Sequence, residues 1–503
     1  MSAHHFDVYR SNVLGHDQTF KTPYGAQHLV YADWTASGRI YKPIEDRLKN
    51  KIMPFVGNTH TETTVTGTLM TTAYKEAKKI IKEHVHADDH DALIFCGSGM
   101  TGAISKLQRI LGFKIPERAL LYLNPQGHDP SLDNLVPSNH KKPVVFITHM
   151  EHHSNHTSWL ETVADVEIIN PDEHGLVDLN HFAQLLDQYR ERDLKIAAVT
   201  ACSNVTGIQP PYRTISRMIH EAEGYCFVDF ACSAPYVDID MHPATDLERL
   251  DAIYFSPHKF LGGPGTPGVL IFNKSLYTNR VPDQPGGGTV KFTNPWHFHD
   301  YLDDIEDRED GGTPPFLTGI KAAMAIRLKE QMGTKNLLER EQVMMQYIFH
   351  RFSSMSRVHI LAGEHKDRMG VIAFYMDNMH YNFIVRLLND RFGIQVRGGC
   401  VCAGTYGHYL LNINADKSRT IYEELTLGNY TLKPGWVRLS IHPVMSDTEL
   451  TYIMDALQTI HDEGDKWRKD YTYDYHTNEF THQDYNENVY TQSVNEWFTE
   501  AFV

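Results

Sequence analysis

Short apolar runs alternate with amphipathic segments through much of the chain. Seven of these runs predict strands, at residues 92–95, 144–148, 166–169, 196–201, 225–229, 252–255 and 268–272. Amphipathic segments at residues 66–85, 101–111, 178–190 and 213–223 predict helices. Because strands that are separated by helices run mostly parallel, we expect an α/β layered domain that binds ligands at the carboxyl ends of its strands.

The segment at residues 66–85 has apolar residues at helical spacing, with lysines on the opposite side. The apolar positions are Leu69, Ala73, Ala77, Ile80 and Ile81. We expect these positions to form the buried face of a helix. Residues 282–315 then break the alternation and predict a long excursion over the surface. Two long helices are predicted near residues 319–331 and 335–352.

The pattern divides the chain into a large domain at residues 31–315 and a smaller α+β domain made of residues 1–30 and 316–463. Residues 464–503 are rich in Tyr, Asn, Asp and Glu. Such a tail is either disordered or an arm that packs through its aromatic residues. We favour the arm, because disordered tails carry few aromatic residues.

Composition and charge exclude several classes of function. The net charge is −16 without clustered Lys or Arg, which argues against nucleic acid as the main ligand. The sequence has no signal-peptide pattern and no apolar stretch long enough to span a membrane. Six cysteines in a chain of this length form no disulfide framework, so we expect a soluble, cytoplasmic protein.

Two stretches that follow predicted strands have candidate ligand-binding residues. The glycine-rich turn at residues 96–102 offers backbone N–H groups and a positive helix end to a phosphate, and Thr101 adds a hydroxyl. Taken alone, such a turn is more often structural. Residues 148–157 contain four histidines at spacings that match no regular zinc site, so we expect no metal there. A histidine in this stretch would instead lie flat against an aromatic ligand.

Asp229 and Lys259 each follow an apolar strand. A carboxylate at Asp229 is costly to bury without a cationic partner, although it could also cap the next turn. Enclosure of Lys259 would lower the pKa of its amine and favour a Schiff base with an aldehyde. A phosphate-binding turn, a stacking histidine, an aspartate and a lysine are together the groups that pyridoxal 5′-phosphate (PLP) requires.

At this point the sequence resembles the class V aminotransferase family, and within it the cysteine desulfurases, from about residue 31 to residue 461. The motifs that carry the resemblance are Glu151-His-His-Ser-Asn155, Ala201-Cys-Ser-Asn-Val-Thr-Gly207, Val228-Asp229, Ser256-Pro-His-Lys259, Gly286-Gly-Gly-Thr289 and Arg397-Gly-Gly-Cys-Val-Cys402. The resemblance implies a PLP-dependent transferase-like fold of type I, with a large, mostly parallel-sheet domain and a smaller α+β domain. It also implies a homodimer.

The resemblance further implies roles for individual residues. Lys259 resembles the Schiff-base lysine, Asp229 the partner of the pyridinium nitrogen, and His152 a residue that stacks on the ring and relays a proton. The other implied cofactor-binding residues are Thr101, Asn204, Ser256, His258 and Thr289, the last of which reaches the phosphate of the other subunit. Arg438 and Arg397 resemble substrate-binding residues, and Arg438 would grip a carboxylate. The alternative for Arg438 is a surface charge at a strand edge.

Cys402, on a glycine-flanked loop, fits the spacing of the desulfurase nucleophile better than Cys400 does. The implied reaction removes sulfur from L-cysteine through a persulfide on Cys402 and releases alanine. A sulfur-acceptor protein would then be a partner. Two departures stand out, because Cys232 replaces a Gln or His near the cofactor ring and Thr61 replaces an arginine.

Two alternatives to this reaction stay open. The chain could be another class V enzyme, such as an aminotransferase, an epimerase or a C–S or selenocysteine lyase. It could also be a sulfur-relay or scaffold subunit that docks a partner.

Overall fold

The computed structural model describes residues 3–123, 142–485 and 488–501 of the 503-residue chain. A seven-stranded sheet contains all seven predicted strands. Each strand begins and ends within one residue of the predicted position. In chain order its strands are β1 (Asp91–Cys96), β2 (Val144–Thr148), β3 (Asp165–Ile169), β4 (Lys195–Thr200), β5 (Tyr225–Asp229), β6 (Ala252–Phe255) and β7 (Gly268–Asn273).

The order of the strands across this sheet is β1-β7-β6-β5-β4-β2-β3. Only β7 is antiparallel to its neighbours, β1 and β6, and all the other pairs are parallel. The predicted, mostly parallel sheet is therefore confirmed. Side chains of β1 point alternately into two different apolar clusters, one holding Leu93 and the other Ile94. The sheet is thus buried on both faces, as parallel sheets are.

Helices cover the sheet and continue beyond it, and the six predicted helices are confirmed with small shifts of their ends. Within the described residues the α-helices are Asp7–Arg10, Lys42–Arg47, Val65–His84, Gly99–Ile110, Glu117–Leu123, His153–Leu160, Leu179–Gln188, Tyr212–Glu221, Ile305–Glu309, Phe316–Met332, Thr334–Phe352, Tyr381–Phe392, Gly404–Leu410, Ala415–Thr426, Asp447–Trp467 and Asn488–Thr499. None of the helices in the described ranges is long and apolar enough to cross a membrane.

The buried face of the helix Val65–His84 differs from the prediction. Leu69 is 42% exposed, whereas Lys78 is buried with its Nζ 2.8 Å from Asp310 Oδ2 and 3.5 Å from Glu306 Oε2. The prediction assigned every lysine to solvent and was wrong here, because two acids from the segment around residue 306 compensate the buried charge. Periodicity alone does not reveal such distant partners.

A second, smaller sheet follows in the chain. Its strands are β8 (Val358–Ile360), β9 (Val371–Met376), β10 (Arg397–Gly399) and β11 (Trp436–Ser440). They lie in the order β8-β9-β11-β10, and every pair is antiparallel. Short strand pairs complete the fold: Thr19–Thr22 with Gly25–His28, Val30–Tyr31 with Ile394–Gln395, Val290–Thr293 with His299–Tyr301, and Tyr471–Asp474 with Glu479–His482. The predicted fold class, a large α/β part with a smaller α+β part, is confirmed.

Aromatic residues of the C-terminal hairpin Tyr471–Asp474 and Glu479–His482 pack against the helix Tyr381–Phe392. The buried ring of Phe480 lies 5.0 Å from that of Phe383, measured between centroids. Tyr471 Oη donates to Asp390 Oδ2 at 3.0 Å. The hairpin is therefore fastened by both apolar and polar contacts.

We expect the substitution Phe480→Ala to lower the free energy of unfolding by about 3 kcal/mol, because it leaves a cavity between the hairpin and the helix. Urea unfolding of the full chain measures this change. The matched control is Tyr475→Ala, at an exposed position of the same hairpin, which should leave stability nearly unchanged. Equal effects of the two substitutions would mean that the hairpin is not packed as described.

Candidate functional site

The carboxyl ends of five strands meet around one cleft, with a volume of about 190 Å³. The loops after β1, β2, β4, β5 and β6 line it, together with residues of β11 and of the loop that follows β10. Ten of the predicted site residues line this cleft: Thr101, His152, Asn204, Asp229, Ser256, His258, Lys259, Arg397, Cys402 and Arg438. Positions more than 300 residues apart in the sequence are thus brought together.

The turn after β1 forms a cup that leaves no space for a side chain at Gly99. Gly99 has a φ of +67°, and a Cβ atom there would lie 2.9 Å from Ser256 Oγ and 3.3 Å from His258 Nε2. Thr101 Oγ1 lies 2.7 Å from Ser154 Oγ at the rim of the cup. Backbone N–H groups at a helix start, hydroxyl groups and an imidazole are suitable ligands for a phosphate. This cup fits the phosphate of PLP.

A buried acid and a lysine face the same cleft. Asp229 ends β5, accepts the Ala231 N–H at 2.8 Å through Oδ1, and is almost fully buried. Burial raises the pKa of Asp229 to about 6. Burial also lowers the pKa of Lys259, against the raising effect of Cys232 and Asp229. The lysine amine is therefore closer to its neutral, nucleophilic form than a solvated lysine is.

His152 lies at the start of the helix His153–Leu160 and caps it. Its Nδ1 accepts the Ser154 N–H at 3.1 Å, which leaves the ring fixed in orientation. Burial lowers the pKa of His152 to about 3, and the neighbouring Lys259 lowers it further. The imidazole is therefore neutral, and a neutral ring is suited to pack flat on an aromatic ligand.

Glu151, which precedes His152, ties the loop after β2 to the neighbouring strand. Its buried carboxylate accepts the Thr200 N–H at 2.9 Å and the Asn155 side-chain N–H at 2.7 Å. Asn155 also donates to the Ala198 carbonyl at 3.1 Å. Sequence reasoning included Glu151 in a motif without giving it a task, and these contacts show that it positions the histidine-bearing loop.

Asp33 is a site residue that sequence reasoning missed. Its Oδ1 lies 2.7 Å from Arg438 Nη2, and its Oδ2 lies 3.0 Å from Arg397 Nε. Arg438 is 3% exposed and lies within the second sheet, so a surface charge at a strand edge is excluded. One carboxylate thus faces two guanidinium groups, which leaves positive charge for an anion. The available signal was an acid among small residues directly after the apolar pair Val30–Tyr31.

The loop after β10 holds Cys402 at the cleft. The Cys402 carbonyl accepts the His153 N–H at 2.7 Å, and the Val401 carbonyl accepts the Asn204 side-chain N–H at 2.8 Å. Val401 and Cys402 have φ values of +43° and +61°, a conformation that L-residues adopt under strain. Cys402 is exposed and lines the cleft, whereas Cys400 does not line it. The nucleophilic role of Cys402 stays a prediction that this geometry favours.

Thr289 does not line the cleft of its own chain. Its buried Oγ1 donates to the Gly286 carbonyl at 2.7 Å, at the base of the hairpin Val290–Thr293 and His299–Tyr301. The predicted contact of Thr289 with a phosphate in a second subunit therefore stays a prediction.

Several known proteins that are similar to this chain are named cysteine desulfurases. Residues 131–453 match the profile of the family described as Aminotransferase class-V. A cysteine desulfurase of Haloferax volcanii is 28% identical over 297 residues, which are 58% of this chain and 65% of that protein. A probable cysteine desulfurase of Staphylococcus aureus is 25% identical over 426 residues, which are 84% of this chain and 94% of that protein.

Solved structures share the fold at lower sequence identity. A cysteine desulfurase of Thermococcus onnurineus superposes with a TM-score of 0.67 at 20% identity, over 86% of this chain and 95% of that one. A cysteine desulfurase of Escherichia coli superposes with a TM-score of 0.66 at 18% identity, over 92% of this chain and 99% of that one. The fold and the cleft define a PLP-dependent enzyme of fold type I. Since the family profile matches more than half of its length, the chain belongs to the class V aminotransferase family.

The lowered pKa of His152 has a measurable effect on stability. The folded state, with a pKa of about 3, binds fewer protons than the unfolded state, with a pKa near 6.5. Stabilisation by the neutral ring is therefore complete above pH 6.5 and is lost as the pH falls toward 3. In urea unfolding, we expect the stability of the wild type relative to His152→Asn to decrease steadily below pH 6.5. A difference that is independent of pH would contradict this assignment.

Proposed function

We propose that this protein is a cysteine desulfurase-like enzyme that takes sulfur from L-cysteine, holds it as a persulfide on Cys402 and releases alanine. The observation that carries the proposal is the thiol of Cys402, exposed at the cleft that Lys259 and Arg438 also line. Transamination and epimerisation require a lysine and an acid such as Lys259 and Asp229, but they require no thiol at the cleft. The names of the relatives support the same reaction.

PLP is the proposed cofactor, and it supplies, when bound, an electron sink that labilises the Cα–H bond of an amino acid. Lys259 Nζ would bind its aldehyde, and Asp229 would keep a proton at its ring nitrogen. The cup formed by Thr101, Ser256 and His258 would hold its phosphate. Asn204, whose buried Oδ1 has no hydrogen-bond partner within the described residues, would contact the ring.

Arg438, supported by Arg397, would bind the substrate carboxylate. A guanidinium offers two parallel N–H groups to a carboxylate, and its fork must be oriented in advance to do so. Asp33 and the Asn204 carbonyl, which accepts from Arg438 Nη1 at 3.2 Å, supply that orientation. The substrate is therefore an amino acid with a free carboxylate.

Lys259 would carry the proton that leaves and returns at the substrate α-carbon. Its lowered pKa increases the fraction of neutral amine near pH 7, which a proton acceptor requires. The neutral ring of His152 would pack on the cofactor and exclude water from it. Of the two roles predicted for His152, stacking is favoured over proton relay, because a histidine with a pKa of about 3 holds a proton only briefly.

Cys402 would take the sulfur as a nucleophile. Its thiolate Sγ attacks the substrate Sγ, a new S–S bond forms, and the C–S bond of the substrate breaks. The carbon side takes up protons and leaves as alanine, while Cys402 keeps the sulfur as a persulfide. Glycines at 399 and 404 flank the loop and allow it to move toward an acceptor.

A homodimer, a sulfur-acceptor protein and a cytoplasmic setting belong to the same proposal. The tip of the hairpin beyond Thr289 exposes Trp296 to 80% and Phe298 to 58%, and a second subunit would cover these rings. All six cysteines are free, as is usual in a reducing compartment.

The proposed division of the chain into domains follows the two sheets. Residues 31–315 would form the PLP-binding domain, residues 1–30 and 316–463 the small domain, and residues 464–503 the arm. The pairing of the N-terminal strand Val30–Tyr31 with Ile394–Gln395 supports the assignment of the N-terminus to the small domain.

Substitution Lys259→Ala should abolish covalent attachment of PLP and all turnover of L-cysteine, because no other amine would hold the aldehyde. The measurements are the visible absorbance of protein incubated with PLP, and peptide mass spectrometry after borohydride reduction. The control is Lys274→Ala, at a lysine whose Nζ bonds to the Asp89 carbonyl at an exposed site. Attachment of PLP at another lysine in the wild type would refute the assignment.

Substitution Cys402→Ala should reduce alanine formation from L-cysteine by at least about 100-fold, because the sulfur then has no acceptor atom on the enzyme. Cys400→Ala, on the same loop but outside the cleft, is the matched control and should retain activity. Alanine, sulfide, pyruvate and ammonia are quantified together. Unchanged turnover by Cys402→Ala, or pyruvate and ammonia as products, would indicate a lyase instead.

A further inference from the structure

Two buried thiols lie side by side in the wall of the cleft. Cys202 follows β4 and Cys232 follows β5, and both line the cavity with Lys259. Their Sγ atoms lie 3.6 Å and 3.7 Å from the same acceptor, the Ser203 carbonyl oxygen. Both residues belong to the same buried apolar cluster. Two thiols that share one neighbouring carbonyl oxygen need only a small displacement to reach disulfide geometry.

The surroundings of the pair give the two thiols opposite acidities. The neighbouring Cys202 thiol lowers the pKa of Cys232, and Lys259 and Arg438 also lower it, against the effect of burial. The neighbouring Cys232 thiol and burial raise the pKa of Cys202. Cys232 is therefore the better nucleophile, and Cys202 requires a base to react.

Glu341 is the candidate for that base, because it lines a groove together with Met369, a member of the apolar cluster that holds Cys202. It is 4% exposed, and one of its carboxylate oxygens has no hydrogen-bond partner among the described residues. Burial and, to a smaller extent, negative charge at Cys232 raise the pKa of Glu341 to about 8. Negative charge on Glu341 in turn raises the pKa of Cys202, so the acid and the two thiols interact.

A groove on the other side of Glu341 connects the acid to solvent. The groove has a volume of about 1040 Å³, and both Glu341 and Met369 line it. Met369 also belongs to the apolar cluster that contains Cys202 and Cys232. A proton taken up by Glu341 therefore has a route out that does not pass through the cleft.

We propose that Cys202 and Cys232 form a redox-active dithiol that reduces the sulfur held on Cys402 and releases it as sulfide. This inference rests on the proposed function, since it requires a persulfide on Cys402. The added activity is the release of sulfide in the first turnover without an external reductant. In this reaction Cys202 and Cys232 supply the electrons, and Glu341 accepts a proton.

The reaction has two steps. The Cys232 thiolate attacks the outer sulfur of the Cys402 persulfide, so that a Cys232 persulfide forms and the Cys402 thiolate leaves. Cys202 then gives its proton to the ionised form of Glu341, which is the minor form near pH 7 because the pKa of Glu341 is about 8. The Cys202 thiolate attacks Cys232 Sγ, which forms the Cys202–Cys232 disulfide and expels hydrosulfide. The outer sulfur gains two electrons, and the two thiol sulfurs together lose two.

Further turnovers require that the disulfide be reduced again. A low-molecular-weight thiol or a dithiol protein of the reducing cytoplasm supplies the two electrons and leaves as its own disulfide.

A single turnover tests the proposal. PLP-loaded protein is reduced, freed of reductant under anaerobic conditions and mixed with one equivalent of L-cysteine. We expect sulfide and alanine in equal amounts, together with a Cys202–Cys232 disulfide in peptide mass spectrometry. In Cys202→Ser and Cys232→Ser, the ratio of sulfide to alanine should fall at least about tenfold, with the sulfur retained as a persulfide.

The control is Cys226→Ser, because Cys226 is a buried thiol of β5 outside the cleft. It should keep the wild-type ratio. A wild type that forms alanine but retains its sulfur on Cys402, with both buried thiols reduced, would overturn the dithiol. A protein that forms no alanine would contradict the proposed function itself.

A redox titration tests the dithiol without any turnover. The protein is equilibrated in glutathione buffers of graded potential, quenched with an alkylating agent and mapped by mass spectrometry. We expect a single two-electron transition in which Cys202 and Cys232 form a disulfide. The midpoint potential of this transition should differ between the wild type and Glu341→Gln. Absence of this disulfide at every potential would refute the proposal, whatever the outcome with L-cysteine.

Discussion

The common direction of six strands in the large sheet is the constraint on which the site depends. Since β7 alone runs the other way, the carboxyl ends of β1, β2, β4, β5 and β6 share one edge, and their loops meet there. The antiparallel strand β7 contributes to the site by leaving space for the turn that follows β1. A Cβ atom at Gly268, where β7 begins, would lie 2.0 Å from the Gly99 carbonyl oxygen. A side chain at that position would therefore displace the turn that follows β1.

Charge compensation decides what this edge binds. Asp33 bridges the buried Arg438 and the exposed Arg397, so the buried guanidinium has a partner and one positive charge is left over. Burial keeps His152 neutral and shifts Lys259 toward its neutral amine. The cleft therefore attracts anions at its arginines, while the imidazole of His152 is neutral and the amine of Lys259 is shifted toward its neutral form. A carboxylate substrate and an amine that accepts protons require this separation of roles.

The pattern of apolar and polar residues predicted those features of the fold that depend on neighbouring residues in the sequence. The apolar runs located all seven strands of the large sheet, and the order of strand, turn and polar residue located Lys259 and Asp229 at its edge. Contacts between distant segments were not predicted. Asp33 lies about 400 residues from Arg438, and Lys78 is buried only because Asp310 and Glu306 compensate its charge. From the sequence alone, an acidic residue or a lysine is predicted to be exposed to solvent unless its partner is known.

The fate of the sulfur depends on where the thiols lie, and the fold alone does not decide it. Cys402 is held at the cleft by His153 and Asn204, in a strained conformation that those two hydrogen bonds maintain. Under the proposed reaction, sulfur on Cys402 would stay at the cleft that Cys232 also lines while these bonds persist, and its reduction to sulfide would be favoured. If they broke, the loop would carry the sulfur outward to an acceptor protein. Gly404 N–H also donates to His153 Nε2 at 2.9 Å. The balance between sulfide release and sulfur transfer would therefore be set by the free energy of the hydrogen bonds that fasten this loop against the strain that they hold.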